Sequence, residues 1–134
     1  MSGRDPELTT ARVTPISRQE LLAKMGEGAV ILVDAQADGW YEREHLPGAL
    51  RSGVHDVDEL AAILSDDRSA EIVVYCWSET CDASAHVSAQ LAGRGYTNVR
   101  RHVAGKRDWL EAGLPIESGG PAANGPAETV IRSA

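Results

Sequence analysis

The stretch "EIVVYCWSETCDASAHVSAQLAGRGY", residues 71–96, decides the fold because it changes character twice. An apolar run ends at Cys76, a short polar loop follows, and a helical pattern begins beside Cys81. A short, unbroken apolar run is typical of a strand that is buried on both faces of a parallel sheet. The helical pattern has small residues along its packing face and glycines at its end, which are common stop signals for a helix. This stretch therefore predicts a strand, a loop and a helix in succession.

The same alternation extends along the rest of the chain. Ser17 and Glu20 form a capping box ahead of the helical stretch "RQELLAKM", and the run "AVILVD" ends at Asp34 as a second buried strand. Asp56 and Glu59 form a second capping pair for a helix in "VDELAAIL". Further elements are predicted as a helical turn in residues 40–44, a strand after Pro47-Gly48, a strand in "NVRRHV" and a closing helix in "KRDWLEAG". Strands that alternate with helices indicate a doubly wound α/β fold, with a sheet of mostly parallel strands flanked by helices on both faces.

Chain length and composition set the domain boundaries. The chain has 134 residues, which is the size of one ordinary domain. Residues 1–10 are polar and show no periodicity, and the segment 118–134 is rich in Gly, Pro and Ala and lacks aromatic residues. The folded domain is therefore predicted for residues 11–117, with a polar N-terminal segment before it and a flexible C-terminal tail after it.

The charge and the cysteine content exclude several classes of function. A net charge of -7 disfavours nucleic acids and anionic membranes as general partners, because both would be repelled at long range. No apolar segment approaches the roughly 20 residues that span a bilayer, and the start "MSGRDPELTT" lacks the apolar core of a signal peptide. The sequence thus predicts a cytoplasmic protein. Two cysteines are too few for a disulfide framework, so they are reactive, metal-binding or simply buried.

The position of Cys76 favours a reactive thiol. In parallel sheets, sites form beyond the carboxyl ends of the strands, where loops enter the N-termini of helices. Free backbone N–H groups and the positive end of a helix hold anions there and lower the pKa of a nearby thiol. The alternative is that Cys76 is a small apolar residue that closes a strand, as buried cysteines often are.

Three blocks of the sequence resemble the rhodanese-like domains. "YCWSETCDASAHVSAQLAGRGYTNV" is similar to the active-site block of that family, with a strand, a cysteine, a six-residue loop, a helix and a Gly-aromatic turn. "LVDAQADGWYEREHLPGAL" resembles the upstream block, and "VAGKRDWLEAGLPIE" resembles the closing block. The resemblance covers nearly all of residues 16–117 and implies the fold predicted above.

The resemblance also implies a chemistry. Cys76 would accept a sulfane sulfur as a persulfide and pass it to a thiol or another nucleophile. The loop would hold that sulfur with its amides, and it comprises Cys76, Trp77, Ser78, Glu79, Thr80 and Cys81. The implied partners are a small sulfur donor and a thiol acceptor, and a protein partner is compatible with the resemblance. No cofactor or metal is implied.

The loop departs from the family pattern in its charge. Active members often carry arginine or lysine in this loop and a glycine near its middle, and this loop has neither. Glu79 and Asp82 place two carboxylates near Cys76, and like charge of this kind raises a thiol pKa and repels a dianionic donor. Thiosulfate is therefore a disfavoured donor. Asp82 also fits the role of a carboxylate that caps or neutralises the start of the helix.

Cys81 leaves two interpretations open. Four residues separate it from Cys76, so both sulfurs can face one cradle and Cys81 can act as a resolving thiol. It also fits a residue at the helix start that points into the core, because the sequence does not show whether the two Cβ vectors converge.

Other chemistries find less support in the residues. The related phosphatases and arsenate reductases need an arginine where this chain has Asp82, and that guanidinium is their main electrostatic support. A metal site from Cys76, Cys81 and His86 would have ligands on one side only, so His86 is interpreted as an ordinary helix residue. The rival to a sulfur carrier is a non-catalytic binding or redox-sensing module on the same fold.

The remaining conspicuous residues have structural interpretations beside functional ones. His45 and Asp34 are predicted as hydrogen-bonded scaffold residues. Trp77 either walls the pocket, offers a partner surface or folds over its own loop. Because large aromatic side chains dominate core burial, Trp40 and Tyr41 are predicted to pack under the short helical turn, and Trp109 is predicted to anchor the last helix to the core. A basic cluster of Arg100, Arg101, His102, Lys106 and Arg107 fits either a solvated face or a site for an anionic donor.

Overall fold

The computed structural model describes residues 13–36, 38–64, 66–119 and 130–132. Its strands are β1 (Val13–Pro15), β2 (Ile31–Asp34), β3 (Leu50–Arg51), β4 (Ile72–Tyr75), β5 (Val99–Arg101), β6 (Ile116–Ser118) and β7 (Val130–Arg132). Its helices are α1 (Arg18–Gly26), α2 (Asp38–Arg43), α3 (Val57–Ile63), α4 (Ala83–Gly93) and α5 (Gly105–Glu111). The predicted alternation of strands and helices is confirmed.

The main sheet is parallel and has the strand order β1-β5-β4-β2-β3. β4 is the central strand, and all four of its residues are buried. The chain moves outward from β2 to β3 on one side and from β4 to β5 on the other, so the strand order reverses between β2 and β4. Crevices at such a reversal, beyond the carboxyl ends of the strands, are where ligands bind in open α/β sheets. The fold therefore places its natural site between the ends of β2 and β4.

Alternation along β4 divides the core into two clusters. Val74 and Cys76 face one side of the sheet and pack with residues of α3 and α4. Val73 and Tyr75 face the other side and pack with residues of α1 and α5, among them Trp109. Because successive strand residues point to opposite faces, Cys76 belongs to the α4 side of the sheet.

The two predicted capping boxes have different outcomes. The hydroxyl of Ser17 accepts a hydrogen bond from the amide of Glu20 at 3.0 Å, which confirms the first N-cap. The second is wrong, because the side chain of Asp56 caps no amide of α3. Its carboxylate instead accepts a hydrogen bond from Arg51 Nη2 at 2.9 Å. An ion pair with a neighbouring guanidinium has replaced the cap.

Three short strands lie outside the predicted elements. β1 is an edge strand that contains a proline, and β6 pairs with β7 in a separate antiparallel ribbon. The boundary predicted at residue 117 falls inside β6, and the predicted tail, residues 118–134, contains β7. The predicted N-terminal segment, residues 1–10, lies outside the described residues.

Candidate functional site

Cys76 lies directly after β4 and is 1% exposed. Its thiol donates a hydrogen bond to the carbonyl oxygen of Cys81 at 3.2 Å. Its Sγ also lies 3.4 Å from the hydroxyl oxygen of Ser84 in the first turn of α4. Cys81 is half-buried, and both cysteines are free thiols. The nucleophile predicted from the sequence is thus a buried sulfur between its own loop and the start of a helix.

The loop of residues 76–81 curls tightly around Ser78. The amide of Cys81 donates to the Ser78 carbonyl at 3.0 Å, and the Ser78 and Thr80 hydroxyl groups lie 2.9 Å apart. The amide of Thr80 donates to the Ser78 hydroxyl at 3.4 Å. Within the described ranges, no hydrogen bond is made by the amides of Trp77, Ser78 or Glu79. Part of the predicted cradle is therefore closed on itself, and three of its amides remain available to an anion.

The N-terminal turn of α5 fixes this loop from outside. The amides of Lys106 and Arg107 donate to the carbonyl oxygens of Cys76 and Trp77, each at 2.8 Å. Gly105 has φ +76°, and a Cβ on it would lie 2.6 Å from each of the same two oxygens. Only glycine allows this approach. The contact holds two loop carbonyl groups away from the site.

A guanidinium reaches Cys76 indirectly, from the end of β5. Arg101 Nε donates to the Ser84 hydroxyl oxygen at 2.8 Å, and Arg101 Nη2 donates to the Cys81 carbonyl at 3.4 Å. Because the Ser84 oxygen accepts from Arg101, its own proton is free to point to Cys76. The side chain of Arg101 therefore supplies a cation beside a loop that carries none.

Burial raises the pKa of the Cys76 thiol, and the hydrogen bond to Cys81 raises it further. Hydrogen bonds from Ser84 act in the opposite direction. The sequence left the direction open, because the helix start would lower this pKa and the two carboxylates would raise it. Desolvation, which neither expectation included, is the largest cause. At neutral pH the resting site holds a protonated thiol.

The carboxylates of Asp82 and Glu79 are exposed to solvent, whereas the sulfur is buried. The side chain of Asp82 is 86% exposed and lies 3.8 Å from His86, which is also exposed. It precedes α4 but caps none of its amides through its side chain, so the capping alternative is wrong. Neutralisation of the helix start by its charge stays a prediction. Glu79 is also exposed. The acidic character of the loop lies on its outer surface.

The predicted basic cluster disperses into separate contacts. Arg100 pairs with Glu20 and Glu71, and Arg107 pairs with Glu111. His102 is 2% exposed, and burial lowers its pKa. Neither a solvated face nor a single anion site describes this group.

Lys106 is buried beside the loop rather than solvated. It is 2% exposed, and its Nζ donates to the carbonyl oxygen of Glu44 at 2.7 Å. Desolvation lowers its pKa, and the charge of Asp34 partly offsets that effect. Its Nζ also lies 5.7 Å from the ring centroid of Trp77.

The predicted scaffold residues do hold backbone and side-chain groups. Asp34 accepts from the amide and the side chain of Gln36 and from the hydroxyl of Tyr75, and burial raises its pKa. The same Tyr75 hydroxyl accepts from the amide of Leu46 at 2.9 Å. His45 is 1% exposed, and its Nδ1 lies 2.8 Å from the carbonyl oxygen of Tyr41.

The aromatic residues divide between core and surface. Trp109 is 1% exposed and donates from its indole to the Pro115 carbonyl, so its predicted core role is confirmed. Tyr41 is also buried. The core prediction is wrong for Trp40, which is 57% exposed, and Trp77 is 43% exposed. Both exposed rings wall a cleft beside the loop.

Sequence reasoning missed Ser84 and Gln36. Ser84 was read only as one of several small residues on a helix face. The signal for it was positional, because a side chain in the first turn of the helix lies over the loop that leads into it. Gln36 follows the strand that ends at Asp34, at the same edge of the sheet as Cys76.

Cys76 thus lies beyond the central strand, in a six-residue loop that leads into a helix. The family model of the rhodanese-like domain matches residues 17–112, and the chain belongs to that family.

Two curated relatives have different names. An HTH-type transcriptional regulator of Mycobacterium tuberculosis is 34% identical over 110 residues, which is 82% of this chain and 47% of the regulator. A tRNA sulfurtransferase of Pyrobaculum aerophilum is 39% identical over 75 residues, which is 56% of this chain and 15% of that enzyme. The chain thus spans about half of one relative's length and a small part of the other's.

Solved structures share the fold. A Bacillus halodurans protein has a TM-score of 0.73 at 20% identity, covering 90% of this chain and 88% of that one. A human single-domain sulfurtransferase has a TM-score of 0.63 at 23% identity, covering 74% of this chain and 96% of that one. A rhodanese from E. coli, solved with anions, has a TM-score of 0.52 at 28% identity, covering 60% of this chain and 91% of that one.

Within the part of this chain that is described, no helix is long and apolar enough to cross a membrane.

Proposed function

We propose that this domain is a sulfurtransferase that carries sulfane sulfur as a persulfide on Cys76. The Cys76 thiolate attacks the outer sulfur of a small donor, the donor's S–S bond breaks, and the rest of the donor leaves as a thiolate. An acceptor thiolate then attacks the outer sulfur of the Cys76 persulfide and takes it, which restores the Cys76 thiolate. The partners are a small sulfur donor and a thiol acceptor.

The contact chain from Arg101 through Ser84 to Cys76 carries this proposal. A buried thiol with a raised pKa needs a local group that favours its ionised form. Ser84 Oγ is 3.4 Å from the sulfur, and Arg101 Nε is 2.8 Å from Ser84 Oγ. A guanidinium that donates to the hydroxyl oxygen polarises the hydroxyl, which strengthens its bond to a thiolate.

The loop supports the second half of the cycle. The persulfide anion has its charge on the outer sulfur, one bond further from β4 than the thiolate. The unbonded amides of Trp77, Ser78 and Glu79 are candidates to receive that charge. Arg101 is already bonded to Ser84 and Cys81, so thiosulfate would lack a free guanidinium and would be a poor donor.

Intact-mass measurement after incubation with polysulfide tests the proposal. The reduced protein should gain one sulfur, and Cys76→Ser should gain none. Cys81→Ser is the matched control, because it keeps the loop and removes the second thiol. If Cys81 resolves the persulfide, the added sulfur will last longer in Cys81→Ser. Sulfur gain that persists in Cys76→Ser would refute Cys76 as the carrier.

A thiol redox module is the second candidate function. The presence of a second free thiol five positions later favours it. Peroxide would oxidise the two thiols to a disulfide and be reduced to water, with a loss of two hydrogens from the protein. Disulfide formation by peroxide, without any sulfur gain from polysulfide, would select this candidate over the carrier.

A further inference from the structure

We infer that the cleft between the ends of β2 and β4 binds the apolar body of a low-molecular-weight thiol or persulfide, and thereby selects the sulfur substrate. This inference rests on the proposed function of Cys76 and adds the class of substrate. The cleft has a volume of about 570 Å³, which is within the range of small-molecule sites. It is lined by Ala35, Gln36, Trp40, Trp77, Cys81 and Ala83.

The topology gives the cleft its position. Ala35 and Gln36 follow β2, whereas Trp77 and Cys81 belong to the loop after β4. These strands flank the point at which the strand order reverses. Cys81 lines the cleft, and its carbonyl oxygen accepts from the thiol of Cys76. A ligand in the cleft therefore lies next to the sulfur-carrying loop.

The cleft offers apolar and aromatic surface rather than charge. None of its lining residues in the described part of the chain is ionic, and its only amide side chain is that of Gln36. The backbone N–H of Gln36 and one N–H of its side-chain amide donate to Asp34. The cations that border the cleft, Arg43 and Lys106, lie against the two indoles. An apolar body in the cleft would displace water from those indoles.

Each of the two tryptophan rings lies next to a cation. The guanidinium of Arg43 lies 5.2 Å from the ring centroid of Trp40, and Lys106 Nζ lies 5.7 Å from that of Trp77. Two exposed aromatic side chains that share one cleft form a contiguous apolar surface, which is typical of ligand-binding and partner-binding sites. Asp82 is exposed between two lining residues and disfavours an anionic ligand. These features together select a neutral, preferably planar substrate body.

Two thiols with matched chemistry test the selection. The protein is loaded with sulfur from polysulfide and then unloaded with benzyl mercaptan or with 2-mercaptoethanesulfonate. Benzyl mercaptan should unload it with a kcat/KM about fivefold higher, since an aromatic contact contributes on the order of 1 kcal/mol. Trp40→Ala should remove most of that preference, by lowering kcat/KM for benzyl mercaptan more than for 2-mercaptoethanesulfonate. Ile63→Ala, at an exposed position outside the cleft, is the control.

A binding measurement separates this inference from the proposed function. Benzyl methyl sulfide carries no thiol, so its binding does not require sulfur loading. It should quench the tryptophan fluorescence of Cys76→Ser saturably, and Trp40→Ala in that background should weaken binding severalfold. Normal loading with equal rates for the two thiols, or with no saturable quenching, would overturn the inference and leave the carrier function intact. Failure of loading in the wild-type protein would overturn both.

Discussion

The two faces of β4 bury polar groups in opposite ways. On one face, the Tyr75 hydroxyl joins Asp34 to the amide of Leu46, so both its donor and its acceptor capacity are used. On the other face, the Cys76 thiol meets a carbonyl and a hydroxyl, and three loop amides nearby make no bond among the described residues. A satisfied network rigidifies a fold, whereas available donors beside a nucleophile suit charge that develops during a reaction. The difference distinguishes scaffold from site between two consecutive residues, Tyr75 and Cys76.

The largest effect is expected from Gly105→Ala, which disrupts the contact that supports the loop after Cys76. The new Cβ would lie 2.6 Å from the carbonyl oxygens of Cys76 and Trp77, and the backbone has φ +76°. We expect a loss of about 2–4 kcal/mol in the free energy of unfolding, together with impaired sulfur loading. Urea unfolding measures the first and intact mass the second. Gly93→Ala is the control, because nothing lies within 4 Å of its Cβ position, and it should not destabilise the protein.

A smaller effect is expected from Tyr75→Phe, on the side of the sheet where the buried hydroxyl is fully hydrogen-bonded. The substitution leaves the amide of Leu46 and the carboxylate of Asp34 short of a buried partner. The free energy of unfolding should fall by about 1–3 kcal/mol, with sulfur loading per folded molecule unchanged. Tyr96→Phe is the matched control, since the buried Tyr96 hydroxyl has no hydrogen-bond partner in the described structure. Equal losses in the two variants would contradict the scaffold role.

The sequence predicts the Tyr75 side of the sheet more completely than the Cys76 side. The apolar runs that end at Asp34 and Cys76 predict the two central strands, and the resemblance assigns His45 and Asp34 to the scaffold. The contact from Arg101 was not predicted, because Arg100 and Arg101 are adjacent and look alike in sequence. Strand alternation separates them, since Val99 packs in the cluster that contains Cys76, and Arg101 shares its face.

Side chains on short elements were the other limit. α2 has six residues and buries Tyr41, which leaves the neighbouring Trp40 on the outer face. Composition alone predicts both as core residues, because large aromatics usually dominate core burial. The orientation of so short a helix is set by tertiary contacts, such as the close hydrogen bond from the Tyr41 hydroxyl to the Ala49 carbonyl at 2.5 Å. The cleft wall formed by Trp40 therefore needed the folded structure.

The subtlest effect concerns the ionisation of Cys76. Burial raises its thiol pKa, so its alkylation by iodoacetamide should keep accelerating as pH rises through and above the ordinary thiol range. Hydrogen bonds from Ser84 lower that pKa, and Ser84→Ala should therefore move the midpoint of the rate profile to higher pH. At pH 7.5 the alkylation rate should fall by roughly threefold to tenfold, as expected for about 1 kcal/mol of lost thiolate stabilisation. Measurements in a Cys81→Ser background report on Cys76 alone.

The same profile tests whether Arg101 acts through Ser84. Arg101→Gln should raise the midpoint as Ser84→Ala does, and the two changes together should add little, because they remove one contact chain. Arg101→Lys should restore part of the shift, since a charge is retained without the guanidinium geometry. Ser88→Ala removes a buried hydroxyl one helical turn further along α4 that has no hydrogen-bond partner in the described part of the chain, and it should leave the midpoint unchanged. If Ser88→Ala moved the midpoint as far as Ser84→Ala does, the shift would reflect repacking of α4. The contact chain from Arg101 through Ser84 would then have no specific effect on the ionisation of Cys76.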